Sequence, residues 1–204
     1  MDMKTFLMRG VAAALLLAGT TAHAISLGFS PASQAVPGGS SVAVDLVISG
    51  LGNFAAPSLS AFDLIIKYEP TILGLTAVAI GDPVLGGDQL DLGEGSIFVV
   101  DDLGSGQVEL VDFSLASIGV LDIRQPGSFT LARLTFDALA IGTSPLEIIA
   151  PMGLVDPIFG DSNGDPLDVV RVAGSITVVP EPSTVTLFLM GTLALGMAWR
   201  RTAG

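Results

Sequence analysis

Ala61-Phe62-Asp63-Leu64-Ile65-Ile66-Lys67-Tyr68-Glu69-Pro70 is the stretch that decides the fold of this chain. Phe62, Leu64, Ile66 and Tyr68 alternate with Ala61, Asp63, Ile65 and Lys67. A period of two puts the large apolar side chains on one face, the pattern of a β-strand lying over a core. Glu69-Pro70 ends the strand, because proline has no amide hydrogen to offer a neighbour. Tyr68, the chain's one tyrosine, falls on the core side.

The same period recurs on both sides. Upstream, Val42, Val44, Leu46 and Ile48 alternate with Ala43, Asp45 and Val47, after the turn Pro37-Gly38-Gly39-Ser40. Downstream, Ser128 to Ala138 follows the turn Gln125-Pro126-Gly127 and points Ala132, Leu134 and Phe136 at a core. Ile25 to Ser30, Leu73 to Ile80, Ser96 to Val100, Gln107 to Leu115, Pro145 to Ala150 and Val169 to Val178 are further strand candidates. Ser49 to Ser58 and the acidic, Gly-rich Gly81 to Gly95 read as loops, and Asp101 to Gly106 and Asp161 to Asp165 as turns. No amphipathic helix stands out between Ile25 and Val179. Many short strands with frequent turns predict an all-β fold, an antiparallel jelly-roll β-sandwich. Val44, Leu46, Phe62, Leu64, Ile66, Leu134 and Phe136 are its expected core.

Half of the 204 residues are hydrophobic and 14% are charged, which is the composition of a cored globular domain. Setting aside Asp2 and Glu181 leaves 18 of the 20 acids against four bases, Lys67, Arg124, Arg133 and Arg171, a net charge near −14. Such a surface repels nucleic acid and anionic lipid and is open to cations. There is no cysteine, so the domain holds together without disulfides.

Three segments together resemble cohesin-type domains. They are Val36-Pro37-Gly38-Gly39 with the strand Val42 to Ile48, Ala61 to Pro70 followed by Leu73, and Gly127 to Ala138. The resemblance frames most of Ile25 to Val179. It implies a nine-stranded jelly-roll sandwich, shared with a class of carbohydrate-binding modules. Cohesins bind dockerin modules through one sheet face.

The tail has a different character. Pro180-Glu181-Pro182 precedes the uncharged run Thr184 to Trp199, and Arg200-Arg201 closes it. As a helix, the 16 residues of that run would reach about 24 Å at ~1.5 Å per residue, short of the ~30 Å hydrocarbon core and so a marginal span. Trp199 falls where an interfacial aromatic would sit. The arginine pair would stay cytoplasmic, placing everything before Pro180 outside. This order of parts resembles the PEP-CTERM sorting signal of Gram-negative bacteria. In that family an exosortase, a membrane transpeptidase-like enzyme, recognises the signal, cuts near the motif and releases or re-attaches the protein outside. The family is associated with exopolysaccharide and biofilm-matrix production.

At the other end, Lys4 and Arg9, the apolar Val11 to Ala18, and the small-x-small site Ala22-His23-Ala24 form a signal peptide. The expected organisation is a signal peptide over 1–24, a cohesin-like sandwich of about nine strands over 25–179, and a sorting signal over 180–204 with a membrane helix at 184–199.

With no cysteine, and with its one histidine, His23, in the signal peptide, the mature domain lacks Ser-His-Asp and Cys-His chemistry and the usual zinc ligands. Carboxylates remain. Asp101-Asp102, Glu109 and Asp112 are neighbours in sequence and could form a glycosidase acid pair, or could be solvated turn and strand-face acids. Asp161, Asn163 and Asp165 stand at i, i+2 and i+4, with Asp168 following, like the first half of an EF-hand loop. Pro166 replaces the sixth-position glycine and Val172 the bidentate glutamate, which leaves a looser Ca²⁺ loop or a polar Asn-Gly turn. Asp82, Asp88, Asp91 and Glu94 are a second candidate cation loop.

These observations predict an exported, non-enzymatic interaction module, sorted through its tail. Its partners would be an exosortase-type enzyme, an extracellular polysaccharide or a matrix or surface protein, and the membrane through the C-terminal helix. A calcium-assisted lectin is the alternative, and an acid-pair glycoside hydrolase a more remote one. One tyrosine, and no tryptophan outside the tail, disfavour sugar stacking.

Overall fold

The computed structural model describes residues 24–82 and 86–181. The signal-peptide positions through His23, the membrane-helix positions 184–199, and Pro182, Arg200 and Arg201 lie outside the described residues.

Twelve strands form two packed sheets: β1 (Ile25–Ser30), β2 (Ser33–Pro37), β3 (Ser41–Ser49), β4 (Leu59–Lys67), β5 (Leu73–Ile80), β6 (Ser96–Gly104), β7 (Gln107–Ser114), β8 (Ser128–Ala138), β9 (Gly142–Ile149), β10 (Ile158–Asp161), β11 (Val169–Arg171) and β12 (Gly174–Val179). One sheet has the order β11-β1-β3-β8-β5. The other runs β2-β12-β9-β4-β7-β6, with β10 also on β4. The sandwich is therefore as expected, but its strand count exceeds nine, and β1–β11 and β2–β12 are parallel pairs. Ser33–Pro37 and Ile158–Asp161 are too short to display a period of two convincingly. The expected last strand breaks into β11 and β12, which join different sheets.

β4 holds the second sheet together. Ala61 to Lys67 pair with β7 along their whole length. On the other edge, β9 takes Ile65 to Lys67 and β10 takes the stretch from Leu59 to Asp63. Phe62, Leu64 and Ile66 point inward, and none is more than 1% exposed. They meet Val44, Leu46, Leu134 and Phe136 from the facing sheet in one core cluster. Tyr68 closes the core at one end, its ring 5.1 Å from that of Phe136 in an edge-on contact. The β6–β7 turn folds under it: Tyr68 N–H donates to the Gly106 carbonyl at 2.8 Å. Gly106 has φ +76°, and a Cβ there would lie 2.3 Å from the Tyr68 carbonyl, so only glycine fits.

Among the described residues, one helix corrects the expectation of strands alone between Ile25 and Val179. α1 (Ile118–Arg124) is seven residues long and buries Leu121 among its side chains. So short a helix shows no amphipathic period in the sequence. It delivers Gln125 into the interior. There the Leu59 amide donates to Oε1 at 2.6 Å, and Nε2 donates to the Leu59 carbonyl at 2.9 Å and the Gln89 carbonyl at 3.0 Å.

Candidate functional site

The two outer faces of the sandwich differ in chemistry. Outside the five-stranded sheet, Ser41, Ala43 and Asp45 of β3 stand opposite Asp137, Thr135 and Arg133 of β8. Arg133 grips Asp45 with two hydrogen bonds, at 2.6 and 2.8 Å. The centre of this face is thus held by an internal ion pair, with Val170 exposed toward its β11 edge.

The outer face of the seven-stranded sheet is apolar over half its width. Cross-strand partners share a face, so the register lays out rows. Ala61, Phe113 and Ile97 form the first. Ile158, Asp63, Val111 and Val99 form the second. Ile149, Ile65, Glu109 and Asp101 form the third. Ile97, Val99, Phe113 and Ile158 are each about half exposed. Below these rows, Lys67 pairs with Glu147 at 3.6 Å.

Asp63 sits in the middle of the apolar rows. Its Oδ1 is buried and accepts no hydrogen bond. Burial raises its pKa. Burial, with the Asp63 and Asp101 carboxylates nearby, also raises that of Glu109. An exposed apolar face with an under-satisfied acceptor at its centre and acids along one side is incomplete by itself. Apolar side chains and a cationic or N–H donor from outside would complete it.

The sequence-predicted sites disperse. Glu109 and Asp112 point to opposite faces of β7, because an odd spacing on a strand changes face. Asp101 joins Glu109 on the open outer face, and Asp102 caps the β6–β7 turn by accepting from the Gly104 amide at 2.9 Å. Asp161 lies at the end of β10, where its Oδ1 accepts from the amides of Asn163 and Asp165, both at 2.8 Å. Burial pushes Asp161 up, but these amides, the Asn163 side chain and the Gly164 amide outweigh it, and its pKa is lowered. Asp168 lines a separate cleft of about 340 Å³ with Asp156, Phe159, Leu167 and Arg171. Among the described residues no three His, Cys, Asp or Glu side chains converge to hold a metal ion. Pro180 and Glu181 follow β12 directly and are exposed.

Solved structures of low sequence identity match this architecture. A cohesin from Acetivibrio cellulolyticus scaffoldin B, crystallised in complex with a dockerin, is 21% identical, with a TM-score of 0.59 over 77% of this chain and 100% of that one. The fold is the cohesin fold. A non-cellulosomal cohesin from the archaeon Archaeoglobus fulgidus matches at 20% identity and a TM-score of 0.52, over 80% of this chain and 95% of that one. A cohesin module of a Clostridium perfringens family 33 glycoside hydrolase matches at 13% identity and 0.55, over 79% of this chain and all of that one. Residues 178–201 match the model of the PEP-CTERM protein-sorting motif. No curated protein matches the sequence. The cohesin-like domain thus runs straight into the sorting motif, whose first two residues, Val178 and Val179, end β12.

The outer face escaped the sequence reading. Val99, Val111 and Phe113 lie on strands whose two faces both carry apolar residues, so the pattern does not say which side meets water. Phe113 was readable only as part of a strand.

Proposed function

We propose that this chain is an exported, non-catalytic interaction module that docks a partner protein on the outer face of its seven-stranded sheet. The observation that carries the reading is that face itself: Ile97, Val99, Phe113 and Ile158 exposed around the under-satisfied Asp63. Aromatic and aliphatic anchors around a buried polar contact are the make-up of protein interfaces. The partner would insert apolar side chains between β6 and β10 and offer a lysine, arginine or backbone N–H to Asp63. A cohesin of this fold held in a dockerin complex supports a protein partner. A non-cellulosomal cohesin supports a partner outside cellulosomes. A glycan ligand is the second reading, and Phe113, an exposed aromatic on the face, is what favours it.

The test compares Phe113→Asp and Val99→Asp with wild type on extracellular material from the native host. Both positions face solvent, so melting temperatures should stay within a few degrees of wild type. A partner protein captured by wild type and lost on both variants supports the reading. Capture that survives both substitutions, or capture of polysaccharide alone, ends it.

The tail supplies the address. A PEP-CTERM motif at 178–201 supports export from a Gram-negative cell, membrane insertion, and processing by an exosortase close to Pro180-Glu181-Pro182. The association with exopolysaccharide and biofilm matrix belongs to the same reading. The prolines keep the segment after β12 out of helix and sheet, and Pro180 and Glu181 are exposed, as a processing enzyme requires. Intact mass of the protein recovered from the host should give a chain from Ile25 to near Pro180. Replacing Glu181 by alanine should abolish that species. A product running from Ile25 to Gly204 would leave an anchor and no processing.

A further inference from the structure

We propose that Asp88 and Asp112, with the Ser96 hydroxyl beside both, form a Ca²⁺ site beneath the acidic loop between β5 and β6. This goes beyond the docking face, because Asp112 points to the opposite side of β7. Its neighbours in register are Phe62 on β4 and Phe98 on β6.

Asp112 is 2% exposed, and its Oδ1 accepts no hydrogen bond. Burial, and then the Asp88 carboxylate next to it, push its pKa up to about 7. Asp88, Ser96 and the Phe113 amide are the groups that act on it, with no lysine or arginine among them. Asp112 lies within side-chain hydrogen-bonding reach of Asp88, so its buried carboxyl either holds a proton toward Asp88 or, once ionised, loses hydration and is repelled by it. A cation between them removes both costs.

The loop is built to hold Asp88 there. Asp88 Oδ1 accepts from the Leu90 amide at 2.9 Å, and Oδ2 accepts from the Ser96 hydroxyl at 2.7 Å. Leu90 is 1% exposed and anchors the loop in the core. Ser114, directly opposite Ser96 in the β6–β7 ladder, donates to the Leu90 carbonyl. The other acids of the loop are directed elsewhere. Asp91 accepts from the amides of Gly93 and Gly95 at 3.0 and 2.7 Å. Asp82 accepts from the Thr130 amide at 2.9 Å, and Glu94 is exposed.

Every candidate ligand is an oxygen, which selects a hard cation over zinc or copper. Two carboxylates balance one divalent charge. The ligands come from a loop and from two strands and need not meet octahedral demands, so Ca²⁺ fits better than Mg²⁺. With few charged ligands, the affinity belongs in the millimolar class of extracellular calcium modules.

The test is thermal melting of the full-length chain in detergent at pH 7.5, with 10 mM CaCl₂, 10 mM MgCl₂ or EDTA. Ca²⁺ should raise the melting temperature by about 5 °C, and Mg²⁺ should not reproduce the rise. Asp112→Asn and Asp88→Asn should each lose the calcium response. In EDTA, Asp112→Asn should melt at or above wild type, since it removes a repelling charge, which separates loss of the site from loss of the fold. If Asp112→Asn does not fold, Asp88→Asn, on the loop, decides by the same readout. A double variant, Asp161→Ala with Asp165→Ala, should keep the response. No calcium-specific shift in wild type, or a full shift retained in both the Asp88 and Asp112 variants, overturns the proposal. So does a shift lost only in the Asp161–Asp165 variant.

Discussion

Phe62→Ala is expected to destabilise the domain by about 4 kcal/mol, and Leu64→Ala by about 3 kcal/mol. Both side chains are buried to 1% exposure or less, on the strand that joins β7, β9 and β10. Phe62 sits between Phe159 of β10 and Asp112 of β7 in the ladder. Removing its ring takes away the transfer energy of the buried atoms and leaves a cavity. Strands on both edges of β4 hold the backbone in place and limit collapse into that cavity. A domain of this size is stable by about 5–15 kcal/mol in total. At roughly 2–4 °C per kcal/mol, the Phe62 variant should melt about 10–15 °C lower. Val99→Ala, on the exposed outer face of β6, should change the urea midpoint hardly at all. Equal losses at Phe62 and Val99 would mean that the core lies elsewhere.

The alternation in Ala61 to Tyr68 was legible because its inner face carries only large apolar groups. The same holds for Val42 to Ile48 and for Leu134 and Phe136, and all seven expected core residues are buried. Parallel pairing was not legible, since β1–β11 and β2–β12 join distant segments by backbone hydrogen bonds that leave no mark on side-chain pattern. Acids close in sequence were poor guides to sites. Asp161, Asp91 and Asp102 spend their carboxylates on backbone amides of their own turns, the local bonding that makes aspartate frequent in turns. Asp63 and Asp112 carry no turn signal. Each becomes distinctive only when the fold leaves one of its oxygens buried without a donor.

Gln125 is the residue the sequence most under-reported, as one letter of a Gln-Pro-Gly turn, and its loss is the second large effect expected. Leu59 opens β4 opposite Asp161 of β10, and its amide and carbonyl both bond to the Gln125 side chain. The carboxamide thus acts as a one-residue neighbour strand, and through the Gln89 carbonyl it also ties the acidic loop to the sheet. Gln125 is 1% exposed and Leu59 is fully buried, so water cannot replace the lost partners without opening the structure. Gln125→Ala leaves a buried donor and two acceptors unpaired. At about 1–3 kcal/mol for each unsatisfied buried group, partly relieved by relaxation, the expected cost is about 3 kcal/mol. Gln125→Glu keeps the shape and the acceptor for the Leu59 amide but turns an oxygen toward two carbonyls. It should be destabilised at least as much at neutral pH. It should recover at acid pH, where a protonated carboxyl donates again. Urea unfolding of wild type and both variants at pH 5 and pH 8 measures this. A Gln125→Glu protein equal to wild type at pH 8 would mean that the carboxamide's donor role is not needed.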